Sequence, residues 1–118
     1  TPRKCIEKAL SISGLPYKVE EIKRMFDLSG DENGYVLNNG RFDRDLQYVS
    51  GEIWSISIAV GFALGKEIFC FPWLNKKEIV MAKKSQLDLL KKNNKIVLIP
   101  SSQTKTLKKI CDEVLYFD

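Results

Sequence analysis

The chain contains no histidine. That absence removes Ser-His-Asp and Cys-His catalysis and every histidine-based metal site. Cysteine is scarce: Cys5, Cys70 and Cys111 are the three, widely spaced and without a CxxC pair. Neither a zinc site nor a redox dithiol is signalled, and an odd set of unmatched thiols points to a reducing compartment, the cytoplasm. Within its apolar strand, Cys70 reads as a buried small hydrophobe. No P-loop, GxGxxG or GxSxG occurs, so the common nucleotide and hydrolase signatures are missing. A long uninterrupted apolar run is missing too. The most apolar window, 53–72, is broken by Lys66 and Glu67 and falls short of the ~20 residues that span a bilayer. The N-terminus TPRKCIEKALSIS lacks the apolar core of a signal peptide. No membrane, metal or cofactor is therefore expected, and no catalytic residue is assigned.

What is present fits one α/β domain of 118 residues with 44% apolar and 29% charged residues. The net charge of +4 permits an anionic partner without requiring one. Residues 1–45 read as a helical and turn-rich segment. Apolar spacing predicts helices over 2–13, closed by Gly14, and over 18–28. Asn33-Gly34 and Asn39-Gly40 are turn dipeptides, with Tyr35–Leu37 as a short strand between them. Asp27, Ser29, Asp31 and Asn33 suggest a calcium loop, but no register supplies both the glycine and the terminal glutamate, so turns are expected instead.

From residue 46 onward, helix and strand alternate. A helix apolar nearly all round is expected at 52–64, stopped by Gly65-Lys66, and such a helix is normally buried. A strand follows at 67–71, then a helix at 77–93 with a break near Lys83-Lys84-Ser85, a strand at 95–99, a helix at 103–111 and a strand at 114–117. This alternation predicts a Rossmann-like parallel sheet with helices on both faces and an N-terminal helical segment.

Ligands of such sheets bind at the carboxyl ends of the strands. Ser50-Gly51, Trp73 and Ser101-Ser102-Gln103-Thr104 fall there. Ser50, Gly51, Ser101, Ser102 and Thr104 stand at helix starts, where free N–H groups can donate to a phosphate, although N-capping alone also explains serines there. Trp73 can stack on a base or pack under a loop. Arg41 and Arg44 in RFDRD are phosphate clamps or a solvated turn. The lysines at 76, 77, 83, 84, 91, 92 and 95 follow a nucleic-acid backbone or form a solvated helix face.

Ser50-Gly51, Ala59, Ala63, Gly65-Lys66, Ile68–Pro72 and Leu89–Lys92 leading into Lys95–Val97 resemble, in order and rough spacing, the DNA-processing protein A (DprA/Smf) family. Trp73 stands at that family's glycine and Ser85-Gln86-Leu87 at its Gly-Thr-Asn. The resemblance implies a Rossmann-like domain that binds single-stranded DNA without catalysis. Ile58–Lys66 is similar to the helix end of nucleoside 2-deoxyribosyltransferases, with Ser57 at the catalytic glutamate position. That likeness implies a nucleoside- or nucleotide-processing enzyme, for which Asp43, Asp45 and Glu52 are the nearby carboxylates. A ligand-free interaction domain is the third reading; it predicts no deep cleft at the strand ends and an exposed apolar patch elsewhere. A homo-oligomer is compatible with all three.

Overall fold

The computed structural model describes residues 1–28, 40–43, 45 and 53–116. Two compact units divide the chain, Thr1–Glu67 and Ile68–Asp118.

The first unit is helical. Helix α1 (Pro2–Ser13) starts at Thr1, whose side chain accepts the Lys4 N–H at 3.2 Å, with Pro2 in the first turn. It ends where the expected Gly14 takes a left-handed φ of 71° and its N–H reaches the Leu10 carbonyl at 2.9 Å. Helix α2 (Val19–Met25) is shorter than the apolar spacing implied. Phe26–Leu28 form its cap instead: Leu28 N–H bonds the Lys23 carbonyl at 2.9 Å, Asp27 N–H bonds the Arg24 carbonyl at 3.2 Å, and Asp27 takes the left-handed φ of 50°. A 3₁₀ turn follows at Gly40–Asp43.

Helix α3 (Ile53–Ala63) is the apolar stretch, and Ile56, Ile58, Ala59, Phe62 and Ala63 are buried. Gly65 at φ 80° stops it. Its N–H bonds the Phe62 carbonyl at 2.9 Å, and Lys66 N–H bonds the Gly61 carbonyl at 3.0 Å. Helix α1 packs on α3, α2 and the 3₁₀ turn. Ser13 Oγ donates to the Ala63 carbonyl at 2.7 Å, joining the carboxyl ends of α1 and α3. Phe62 sits 5.4 Å, centroid to centroid, from both Tyr17 and Phe26.

The second unit is a βαβ unit with an extra helix. Strands β1 (Ile68–Cys70) and β2 (Ile96–Leu98) pair in parallel, with Ile68 opposite Ile96 and Cys70 opposite Leu98. The crossover begins at Asn75, whose side chain accepts the Glu78 N–H at 2.9 Å while Glu78 Oε1 accepts the Asn75 N–H at 3.0 Å. Helix α4 (Lys76–Ala82) then passes through a π-helical turn, Lys83–Leu87, into α5 (Asp88–Lys92). The break expected near Lys83-Lys84-Ser85 is this turn, which contains one more residue per hydrogen-bonded ring than α-helix. Asn94, at φ 60°, closes α5 with Lys95 N–H on the Leu90 carbonyl at 2.9 Å. Helix α6 (Thr104–Ile110) ends the described elements.

Helix and strand thus alternate around a parallel sheet. That sheet has two strands among the described residues, too few to define Rossmann layering with helices on both faces. Two expectations are corrected. Val114–Tyr116 are not a strand, and Leu115 and Tyr116 are exposed; strong strand propensity does not form a strand without a partner to pair with. Cys70 is exposed, because it lies on the uncovered side of β1. The expected strand at Tyr35–Leu37 lies outside the described residues.

Candidate functional site

The two loops at the carboxyl ends of the strands are joined by hydrogen bonds. Phe71 N–H donates to the Leu98 carbonyl at 2.8 Å and Leu74 N–H to the Pro100 carbonyl at 3.2 Å, prolonging the pairing beyond the strands. Ser101 Oγ then donates to the Leu74 carbonyl at 2.6 Å and accepts the Gln103 N–H at 3.1 Å. The Ser101 hydroxyl is therefore a clasp between the loops. Ser102 is exposed, and its carbonyl accepts the Thr104 N–H at 3.0 Å. Thr104 opens α6, whose cap residue Gln103 makes no side-chain capping bond. At seven residues, α6 is too short for its start to be an anion site on its own.

Trp73 lies in the first of these loops and is 65% exposed. It does not pack under a loop, although an indole normally gains by burial. The structure thus brings Trp73, Ser101, Ser102 and Thr104 to one edge. Ser50, Gly51 and Arg44 lie outside the described residues. Arg41 belongs to the 3₁₀ turn Gly40–Asp43 in the other unit.

Charge separates the units more sharply than the overall +4 implies. Residues 1–67 hold nine basic and ten acidic side chains, a balance of −1; residues 68–118 hold ten lysines against five acids, a balance of +5. Within the second unit Lys83 pairs with Asp88, and Lys91 pairs with Asp112 at 2.8 Å, a bond that raises the Lys91 pKa. Lys108 Nζ lies 6.0 Å from the Tyr116 ring centroid. Lys76, Lys77, Lys84 and Lys92 are exposed on α4, the π turn and α5.

The carboxylates of the enzyme reading are arranged otherwise. Asp43 accepts Arg3 Nε at 2.7 Å, and Glu20 accepts Arg3 Nη1 at 2.6 Å. These bonds, that to Asp43 first, raise the Arg3 pKa; the bond from Arg3 holds Glu20 below its ordinary range. The guanidinium also sits 4.8 Å from the centroid of the fully buried Phe42 ring. Asp43 is thus a counter-ion that docks the 3₁₀ turn onto α1. Asp45 is exposed, and Glu52 lies outside the described residues. An open recess of about 430 Å³ is lined by Glu20, Lys23, Arg24 and Asp27, on and just after α2 rather than at the strand ends. Among the described residues no cluster of metal-ligating side chains occurs, and no helix is long and apolar enough to cross a membrane.

One surface escaped the sequence reading. Strand alternation buries Phe69 and Phe71, while Ile68 and Ile96, opposite each other, and Cys70 and Leu98, likewise opposite, are exposed. Among the described residues, one side of the sheet is buried and the other is exposed. The period-two pattern was readable in IFCF; which of its two faces is exposed was not.

No family model matches the chain, and no curated protein or solved structure matches it.

Proposed function

We propose that the chain is a non-catalytic module that binds single-stranded nucleic acid, DNA in the first instance, through its second unit. The carrying observation is Trp73: a largely solvent-exposed indole at the carboxyl end of β1, in the part of the chain with a balance of +5. Stacking of bases on an aromatic ring beside a positive field is the usual way single strands are held without sequence preference. The lysines of α4 and α5 supply that field, and the exposed Ser102 and the half-buried Thr104 at the start of α6 lie on the same edge. The three free thiols fit a reducing location, the cytoplasm.

Fluorescence anisotropy with a labelled single-stranded oligonucleotide tests the proposal. Binding is expected to weaken as salt rises, and Trp73→Ala to lose about 1–3 kcal/mol of binding free energy without altering the unfolding midpoint. A dissociation constant weaker than ~10⁻⁴ M at physiological salt, or binding indifferent to salt, overturns it.

The bare sheet face favours a second reading, an interaction domain with a protein partner. An exposed apolar surface away from any cleft is what that reading requires.

A further inference from the structure

The lysines of residues 68–118 are not equivalent. On α4, the π turn and α5 they are interspersed with Glu78 and Asp88, and Lys83 and Lys91 are held by Asp88 and Asp112. Helix α6, read TKTLKKI, has no acidic residue. Its Lys105, Lys108 and Lys109 are all exposed, and their i, i+3, i+4 spacing puts them on one face. Among the described residues no acid pairs with any of the three: Asp112 bonds Lys91 at 2.8 Å, and Glu113 forms no ion pair. Like charges so spaced destabilise a helix slightly, and a polyanion laid across them turns that repulsion into attraction.

An aromatic ring stands beside this face. Tyr116 is 65% exposed, and Lys108 Nζ, near the carboxyl end of α6, lies 6.0 Å from its ring centroid. At the other end of the helix, the Ser101 hydroxyl ties the Trp73 loop to the residue before α6. It donates to the Leu74 carbonyl at 2.6 Å and accepts the Gln103 N–H at 3.1 Å. Two exposed rings, Trp73 and Tyr116, thus lie toward the two ends of a basic helix about 10 Å long.

The combination selects the ligand. Lysines alone suit any polyanion. Rings beside lysines suit one whose charges alternate with flat π-faces, which a single-stranded nucleic acid has and an acidic peptide lacks. A stretch of ~4 nucleotides, the small end of such sites, spans roughly 14 Å at ~3.4 Å each and so reaches along the whole of α6.

We propose that α6 and Tyr116 form the second half of the single-strand site: Lys105, Lys108 and Lys109 hold phosphates, and Tyr116 stacks a base as Trp73 does. The proposal rests on the nucleic-acid reading and assigns residues that reading does not name.

Anisotropy titration of a labelled oligothymidylate over a salt series tests it. The triple variant Lys105→Gln/Lys108→Gln/Lys109→Gln is expected to flatten the slope of log K against log salt by about 2, from ~0.7 per phosphate contact. Lys8→Gln, which removes an exposed lysine of α1, is expected to leave the slope unchanged. Tyr116→Ala is expected to weaken binding about 5- to 150-fold, the worth of one stacked base, and Tyr116→Phe, which keeps the ring, to bind as the wild type does. All the substituted side chains are exposed, so the unfolding midpoint is expected to hold. Photo-cross-linking of a bromodeoxyuridine oligonucleotide to the wild-type chain needs no variant, and its adducts are expected on Tyr116 and Trp73.

An unchanged salt slope in the triple variant, with the wild-type chain binding, overturns the proposal and leaves the nucleic-acid reading standing. So does Tyr116→Ala binding as tightly as the wild type or losing no more than Tyr116→Phe. So do adducts confined to residues other than Tyr116 and Trp73. Equal competition by a polyglutamate peptide of matched charge also overturns it, since the site is then a general polyanion binder. Failure of the wild-type chain to bind more tightly than ~10⁻⁴ M at physiological salt overturns both readings.

Discussion

In Thr1–Glu67 the large apolar side chains of α1, α2 and α3 mostly turn inward, and charge is nearly balanced; in Ile68–Asp118 an entire sheet face of apolar residues meets solvent, and lysines outnumber acids two to one. Phe42 and Ile96 stand for the difference. Phe42 is fully buried under two cations, Arg3 at 4.8 Å and Lys23 at 5.2 Å from the ring centroid. Ile96 is as apolar as any residue in the first unit, yet it projects into water from the first residue of β2. A residue's hydrophobicity therefore reports burial in one unit and exposure in the other. Closed apolar surface stabilises, so burial of this kind is expected to count for more in the first unit.

The largest perturbation should fall on the closed unit. Phe42→Ala removes a fully buried ring and is expected to destabilise by about 3–5 kcal/mol in chemical denaturation, with the amide exchange of β1 and β2 much less affected than that of α1. Equal loss of protection in both units would break the contrast. Ser101→Ala acts on the open unit. It leaves the Leu74 carbonyl and the Gln103 N–H without their hydroxyl partner, and about 1–3 kcal/mol is expected, read as faster amide exchange in the loops after β1 and β2.

Acid provides a gentler test. The Glu20 pKa is lowered by its bond from Arg3, so the stability it contributes is complete above the ordinary value of 4.5 and is lost as pH falls through the lower folded value. The thermal midpoint of the wild-type chain should fall across that window, and Arg3→Gln should flatten this part of the profile. An unchanged acid limb in Arg3→Gln would show that the pair is not coupled to folding. The smallest effect is a gain. Asn94 holds a left-handed φ of 60° where glycine has no steric penalty, so Asn94→Gly should stabilise by a few tenths of a kcal/mol or leave stability unchanged. A loss of ~1 kcal/mol would instead mean that the Asn94 side chain contributes to the turn.

The parts of this fold that local chemistry decides were legible in the sequence. Pro2 and Gly14 bound α1, Gly65 stops α3, and Lys83-Lys84-Ser85 marks the π turn because each acts within one or two helical turns. Asp27 and Asn94 do the same work as Gly65 but look like ordinary polar residues, so the end of α2 was placed too late. The failures were long-range. Val114–Tyr116 has the side chains of a strand, and nothing near it in sequence says whether a neighbouring strand exists. Cys70 alternates correctly with Phe69 and Phe71, but alternation states only that the two faces differ, not which one is covered. At the candidate site, the position of Trp73 followed from the strand-end rule, whereas its exposure did not. The internal role of Ser101 depends on a residue 27 positions away in the chain.

The Ser101 clasp also bears on the entropy of association. A binding loop that is loose in the free protein must lose backbone freedom when a ligand arrives, at about 1–2 kcal/mol per residue fixed. Here the chain on either side of Trp73 is already anchored, at Phe71 by the Leu98 carbonyl and at Leu74 by Pro100 and Ser101. A base stacking on the indole, as proposed above, would have only side-chain rotations to freeze. Encounter should accordingly need no slow rearrangement of the loop, and the complex should keep more of its contact energy as net affinity.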